Sequence, residues 1–128
     1  MTENEISRQI VDAAYRIHKA LGPGLLESTY ASVLAYELTD RGLAFMREQA
    51  IQIVYREIRI DHGFRADMVV EEKVIVEIKS IDAISPIHRR QLATYLKLAN
   101  KRLGLLINFN VVLIKDGIVR IANGLDEP

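Results

Sequence analysis

The chain of 128 residues has no cysteine, no net formal charge and no long apolar run. Without cysteine it cannot form disulfides or thiolate metal sites, which is typical of a reducing compartment. No apolar run approaches the roughly 20 residues that a membrane-spanning helix needs. The first ten residues, MTENEISRQI, are polar and acidic, unlike a signal peptide. We therefore expect a cytoplasmic protein with no membrane partner.

The zero net charge argues against a protein that binds polyanions with its whole surface. A local basic cluster is nevertheless present: His88, Arg89, Arg90, Lys97, Lys101 and Arg102. Such a cluster is either the solvated surface of a helix or a contact for nucleic acid. The sequence also lacks a glycine-rich phosphate loop, so we expect no organic cofactor.

Length and composition are those of one ordinary globular domain, with 49% hydrophobic and 27% charged residues. Repeats, low-complexity tracts and linkers are absent from the sequence. We therefore expect residues 1–128 to form a single domain.

Three segments have helix signals. Thr2 and Glu5 form a capping-box pattern before an apolar stripe that ends at Gly22. A second helix is predicted over residues 25–41. Ser85 as N-cap, with Pro86 at the first helical position, predicts a third helix to about residue 100.

The rest of the chain predicts strands. Residues 49–55, 64–70 and 74–79 alternate or are apolar, with a turn at 61–63 and a loop at 71–73. A buried strand at 103–109 is followed by a hairpin of 111–115 with 118–121 around Asp116-Gly117. With that terminal hairpin taken as one element, the order is α-α-β-β-β-α-β-β. The fold class is α/β, a mixed sheet with helices packed on it.

Two charges interrupt the otherwise apolar strand Val74-Ile75-Val76-Glu77-Ile78-Lys79. Glu77 and Lys79 are two residues apart, so their side chains leave the same face of the strand. A three-residue loop at 71–73 would place Asp67, on the preceding strand, opposite Glu77. A two-residue loop would instead put the two carboxylates on opposite faces. The functional interpretation therefore predicts the three-residue loop.

Two carboxylates with one ammonium group suit a hard divalent cation. Mg²⁺ takes one or two carboxylates and leaves room for a phosphate oxygen. The metal would polarise the phosphoryl group and lower the pKa of a bound water, while Lys79 would orient that water or stabilise charge. The alternative is an edge strand on which Glu77 and Lys79 are solvated, because Glu-x-Lys is a common sequence.

Further polar residues point to the same site. Gln91 lies one helical turn from Tyr95 on a mostly apolar face, where the pair would hold water or a DNA phosphate. Glu27, near the start of the second helix, would be a third carboxylate or would only stabilise the helix dipole. Arg65, two residues before Asp67, would contact the scissile phosphate or pair with a nearby carboxylate.

The segment Gly24-Leu25-Leu26-Glu27-Ser28-Thr29-Tyr30 resembles the pattern of the GxxExxY proteins, a group within the PD-(D/E)XK nuclease superfamily. That superfamily has an α-β-β-β-α-β, restriction-endonuclease-like core, which the predicted order contains from its second helix onward. The resemblance covers residues 6–122. Asp67 and Glu77-Ile78-Lys79 stand at the motif positions of the superfamily, and Gln91 and Tyr95 match a Gln-x-x-x-Tyr motif of lambda-exonuclease-like members.

The resemblance implies roles for these residues. Asp67, Glu77 and the backbone carbonyl of Ile78 would bind Mg²⁺ or Mn²⁺, joined by Glu27, and Lys79 would be the catalytic lysine. Gln91 would belong to the catalytic group. Nucleic-acid contacts are expected from Tyr95, Arg65, Arg89 and Arg90.

The function expected from the resemblance is that of a metal-dependent nuclease acting on DNA. Two alternatives remain open at this point. One is a non-catalytic module with the same fold that binds nucleic acid or protein. The zero net charge favours this alternative. The other is a nuclease subunit whose site is completed by a partner protein or by a second copy of the chain.

Overall fold

The computed structural model describes residues 1–125, which form three α-helices, one 3-10 helix and five strands. The helices are α1 (Glu3–Leu21), α2 (Glu27–Asp40) and α3 (Pro86–Ala99). The strands are β1 (Phe45–Tyr55), β2 (Ile58–Val70), β3 (Val74–Lys79), β4 (Leu103–Asn108) and β5 (Ile118–Ala122). A 3-10 helix, Ile114–Gly117, precedes β5. The predicted fold class is confirmed.

The five strands form one mixed sheet in the order β1-β2-β3-β4-β5. The pairing of β3 with β4 is parallel, and the other three pairings are antiparallel. The parallel step is made through α3, which crosses from the end of β3 to the start of β4. All six residues of β4 are buried, as expected for the apolar segment at 103–109.

Local signals placed the ends of α1 and α3 correctly, whereas α2, predicted over 25–41, spans Glu27–Asp40. The Thr2 hydroxyl accepts a hydrogen bond from the Glu5 amide, and the Glu5 carboxylate accepts one from the Thr2 amide, which completes the capping box of α1. Ser85 is the N-cap of α3, and Asn100 ends that helix in the left-handed conformation. These helix ends depend on residues within one helical turn, so the local sequence is sufficient to predict them.

Helices cover both faces of the sheet, so the core has two layers. Helices α1 and α2 pack on one face, the double-helix face, around Val74, Val76 and Ile78. Helix α3 packs on the other, the single-helix face, where Leu92 and Leu96 meet Ile75. Successive residues of β3 therefore pack into different layers of the core.

The predicted turn at 61–63 is wrong, because these residues belong to β2. The chain reverses instead at Arg56-Glu57, where Tyr55 pairs with Ile58 and Arg56 has a φ of 53°. Gly63 has a different role: a Cβ there would collide with the Ile53 side chain. The glycine therefore marks a close approach of two strands beside the register shift between Ile51 and Ile53.

The predicted strand at 111–115 is also wrong. Residues 110–113 form bends, and the chain then enters the 3-10 helix. The His18 ring lies 2.7 Å from the Val111 carbonyl oxygen and holds this segment against α1. A Cβ at Gly117 would collide with the Asn108 carbonyl oxygen, so the Asp-Gly signal marks close packing at the end of the 3-10 helix rather than a hairpin turn.

Candidate active site

Strands β2 and β3 separate at the candidate site. Val70 pairs with Val74, as the three-residue loop predicts, and the pairing continues to Met68 and Val76. One residue further, the Asp67 carboxylate accepts a hydrogen bond of 2.8 Å from the backbone amide of Ile78. The Asp67 side chain thus replaces the backbone hydrogen bonds between β2 and β3 at this point, and its bond to Ile78 holds Asp67 beside β3.

The Asp67 position also marks a change of face along β2. Met68 and Val70 pack on the double-helix face. Ala66 is two residues before Met68 and would share its face in a regular strand, yet it packs on the single-helix face. Glu48, at the corresponding point of β1, has a left-handed φ of 53°. A simple period of two does not predict such a switch.

Glu77 is buried, with 7% of its surface exposed, and its Oε1 atom has no hydrogen-bond partner within residues 1–125. Burial raises the pKa of Glu77 to about 9, and the hydrogen bond to Asp67 and the charge of Asp67 act in the same direction. The Lys79 ammonium opposes this increase in pKa. The metal-free protein therefore holds Glu77 protonated at neutral pH.

Lys79 is the last residue of β3 and is half-buried. It lies beside Asn108 in the parallel pairing of β3 with β4. The Asn108 side chain is 1% exposed, and it bonds both the amide (3.1 Å) and the carbonyl (3.0 Å) of Ile81. Asn108 therefore fixes the chain that follows Lys79.

Helix α3 brings Tyr95 and Gln91 to the single-helix face of the site. Burial and the charges of Glu77 and Asp67 raise the pKa of the Tyr95 hydroxyl, and a hydrogen bond with Gln91 acts in the opposite direction. Tyr95 also stacks on Phe64, with ring centroids 3.8 Å apart. The predicted pair Gln91 and Tyr95 thus lies at the carboxylates, although Gln91 is exposed.

Glu27, the first residue of α2, approaches the site from the other side. Its carboxylate accepts a hydrogen bond of 3.4 Å from the Ser80 amide. A cavity of about 240 Å³ is lined by Glu27, Ser28, Ala31, Glu48, Asp67 and Ile78. Glu27 is therefore near Asp67, but it is exposed rather than inward-facing.

Tyr30 anchors the loop that precedes Glu27. Its hydroxyl donates to the Gly22 carbonyl at 2.6 Å and accepts from the Leu25 amide at 3.2 Å. The ring is fully buried and stacks on Phe109, with centroids 4.4 Å apart. The tyrosine of the motif is thus a structural residue that holds the start of α2 beside the site.

The predicted cationic contacts are at the surface. Arg65, Arg89 and Arg90 are exposed. The ion pairs within residues 1–125 involve Arg16 and Arg41, so the structure does not pair Arg65 with Asp67 or Glu77. The three predicted arginines are therefore available to an anionic ligand.

Sequence reasoning missed three residues of this site: Glu48, Phe64 and Asn108. Asn108 had a usable signal, because it is a polar residue inside an apolar strand, as Glu77 is. Glu48 and Phe64 reach the site through the face switch of the β1–β2 hairpin, which the pattern does not contain. Within the described residues, no group of three or more acidic or histidine side chains converges on one point, so Glu27 stands apart from the pair Asp67 and Glu77.

A family model described as the PD-(D/E)XK nuclease superfamily matches residues 4–121. The chain belongs to the PD-(D/E)XK nuclease superfamily. Members of this superfamily are generally nucleases, and they typically use Mg²⁺ or similar divalent metals. The comparison with curated proteins and the comparison with solved structures each found no match. None of the helices within residues 1–125 is long and apolar enough to cross a membrane.

Proposed function

We propose that this PD-(D/E)XK chain is a Mg²⁺-dependent nuclease of the GxxExxY group that hydrolyses phosphodiester bonds of DNA in the cytoplasm. The observation that carries the proposal is the Glu77 carboxyl. It is buried beside Asp67, and its Oε1 atom has no hydrogen-bond partner in the described chain. Such an atom is costly unless something binds it, and a divalent cation would satisfy it and offset both carboxylate charges.

The donor set fits this ion. We assign Asp67, Glu77 and the backbone carbonyl of Ile78 as ligands, because Mg²⁺ and Mn²⁺ prefer oxygen donors. Glu27 lines the same cavity as Asp67, and we assign it to the outer part of the metal site. When bound, the metal polarises the phosphoryl group and lowers the pKa of a water.

The residues of the chain would then complete the reaction. Lys79 orients the attacking water and stabilises the negative charge that develops on the phosphate. Water attacks phosphorus in line and the bond to the leaving oxygen breaks, with no covalent enzyme intermediate. Gln91 and Tyr95 position the water and the phosphate from the α3 side. Neighbouring phosphates are contacted by Arg65, Arg89 and Arg90.

The GxxExxY assignment is supported by what its three residues do. Gly24 has a φ of 101°, which favours glycine. Tyr30 anchors the loop around it, and the Ser80 hydroxyl donates to the Leu25 carbonyl at 2.6 Å. Glu27 follows at the cavity. The segment that contains the motif thus holds the start of α2 against the residues that follow Lys79.

The test is cleavage of single- and double-stranded DNA by the purified protein in Mg²⁺, Mn²⁺ or EDTA. We expect cutting that requires the metal and is lost in both Glu77→Ala and Lys79→Ala. Glu72→Ala and Lys115→Ala are matched controls, because both residues are exposed, Glu72 in the loop between β2 and β3 and Lys115 in the 3-10 helix. Cutting that survives in Glu77→Ala would place the activity elsewhere and contradict the proposal.

Metal binding separates the remaining outcomes. Titration with Mn²⁺, followed by calorimetry, should detect a site in the wild type that Glu77→Ala abolishes. Binding of the ion without cutting would mean that a partner completes the site. Neither binding nor cutting would favour a non-catalytic module with this fold.

A further inference from the structure

The β1–β2 hairpin continues well beyond the candidate site. Strand β2 pairs with β3 only over Met68–Val70, but it extends back to Ile58 and pairs there with β1 alone. We call residues 52–63 the arm. At about 3.3 Å per residue, it reaches some 15 Å beyond Ile51.

The arm has an apolar face on which three large side chains are exposed. Ile53 pairs with Ile60 and Tyr55 pairs with Ile58, so these four side chains share one face. Tyr55 is 62% exposed, Ile58 60% and Ile60 47%. A cluster of exposed large apolar residues on a projecting hairpin is typical of a binding surface.

The tip of the arm carries two arginines and one acidic residue, Glu57. Arg56 and Arg59 lie at the tip of the arm, and neither takes part in an ion pair within residues 1–125. Arg56 lies over the Tyr55 ring, 5.6 Å from its centroid. The Asp61 carboxylate accepts a hydrogen bond of 2.9 Å from the Gln52 side chain. The apolar face therefore presents an aromatic ring, aliphatic groups and the Arg56 guanidinium group together, whereas Arg59 pairs with Val54 on the opposite face of the hairpin.

The base of the arm meets the candidate site directly. Phe64, the residue after the arm, stacks on Tyr95. The charges of Glu77 and Asp67 act on the pKa of that tyrosine. A ligand held along the arm would therefore enter the site at its base, next to Asp67.

We infer that the arm binds an unpaired stretch of nucleic acid, stacking its bases on Tyr55 and the adjacent isoleucines, with a phosphate on Arg56. Aromatic stacking and arginine contacts are the usual means of holding single strands. A regular duplex hides its base faces and would leave the apolar face uncovered. This inference rests on the proposed function and makes it more specific: the substrate has a single-stranded segment beside the bond to be cut.

A second copy of the chain is a less suitable ligand for the arm. Three exposed side chains, those of Tyr55, Ile58 and Ile60, are far short of the roughly 1,200 Å² that a stable interface buries. The Arg56 guanidinium group beside an exposed aromatic ring favours a ligand with both bases and phosphates instead.

The test is binding of a fluorescent 12-nucleotide single strand, and of the matching duplex, in EDTA so that nothing is cut. We expect the single strand to bind more tightly than the duplex. Tyr55→Ala should weaken single-strand binding about tenfold, since one stacked base is lost. Tyr36→Ala is the matched control, because Tyr36 is 71% exposed on α2, and it should bind like the wild type.

Three results would overturn the inference: unchanged binding by Tyr55→Ala, a preference for the duplex, or a wild-type dimer that Tyr55→Ala dissociates. Circular dichroism will confirm that the variant, changed at an exposed site, is folded. Because binding is measured in EDTA, this assay does not depend on cleavage. Failure of the nuclease proposal would therefore appear in the cleavage assay alone, and failure of the arm in the binding assay alone.

Discussion

One face of strand β3 carries only apolar side chains, whereas the other face ends in two charged ones. On the double-helix face, Val74, Val76 and Ile78 are buried among apolar side chains of α1 and α2. On the single-helix face, Ile75 is buried under α3. Glu77 and Lys79 continue that second row, and there the cover of α3 gives way to polar residues.

The comparison indicates a division of roles within one strand. The apolar face gains free energy from burial, at roughly 25 cal/mol for each Å² of apolar surface. The polar face opposes folding, because Glu77 is buried with one oxygen unbonded. A strand fixed by one face can hold a carboxyl on the other in a position that would not be stable alone.

The largest stability effect should come from the double-helix face. Ile78→Ala removes a fully buried side chain while keeping the backbone carbonyl, and we expect it to lower the free energy of unfolding by about 2–5 kcal/mol. Urea denaturation of the metal-free protein measures this change. Ile87→Ala, at a residue that is 67% exposed, is the control and should change stability by less than about 0.5 kcal/mol. A small effect at Ile78 would mean that this face does not hold the strand.

A change on the polar face should act in the opposite direction. The folded pKa of Glu77, about 9, lies above its ordinary value of 4.5. Stability from this group is therefore complete below pH 4.5 and is lost as the pH rises toward 9. Glu77→Gln removes the ionisation, so in EDTA at pH 8 it should be more stable than the wild type by roughly 1–4 kcal/mol.

The measurement for Glu77→Gln is a series of urea curves in EDTA between pH 4.5 and pH 8. The gain in stability should shrink as the pH falls and vanish near the lower end. Glu72→Gln, in an exposed loop, should follow the wild type at every pH. A gain that does not depend on pH would indicate that Glu77 is not protonated in the fold.

The smallest effect should come from the loop before α2. Tyr30→Phe keeps the ring stacked on Phe109 but removes the hydroxyl that bonds Gly22 and Leu25. We expect a loss of about 1 kcal/mol in stability and faster hydrogen exchange at the Leu25 amide. Tyr15→Phe, at a residue that is 47% exposed on α1, should change neither quantity. Unchanged exchange at Leu25 in Tyr30→Phe would contradict the anchoring role of the hydroxyl.

Much of this protein follows from its sequence by local rules. The capping box of Thr2, the Ser85-Pro86 helix start and the alternation of β3 each depend on neighbours in the chain. The three-residue loop between β2 and β3 was inferred from the need to bring Asp67 to Glu77, and the pairing of Val70 with Val74 confirms it. Local patterns were enough to predict the three helices and the strand with the charged pair, but they did not predict the 3-10 helix Ile114–Gly117.

The tertiary structure decided what depends on distant contacts. The glycines Gly63 and Gly117 look like turn residues in the sequence, yet each is required by a close approach of another strand. The face switch at Asp67, the arm and the burial of Glu77 exist only when strands and helices are assembled. Sequence alone therefore pointed to Asp67, Glu77 and Lys79 at the candidate site but not to Glu48, whereas packing decided their exposure and, with it, the pKa of Glu77.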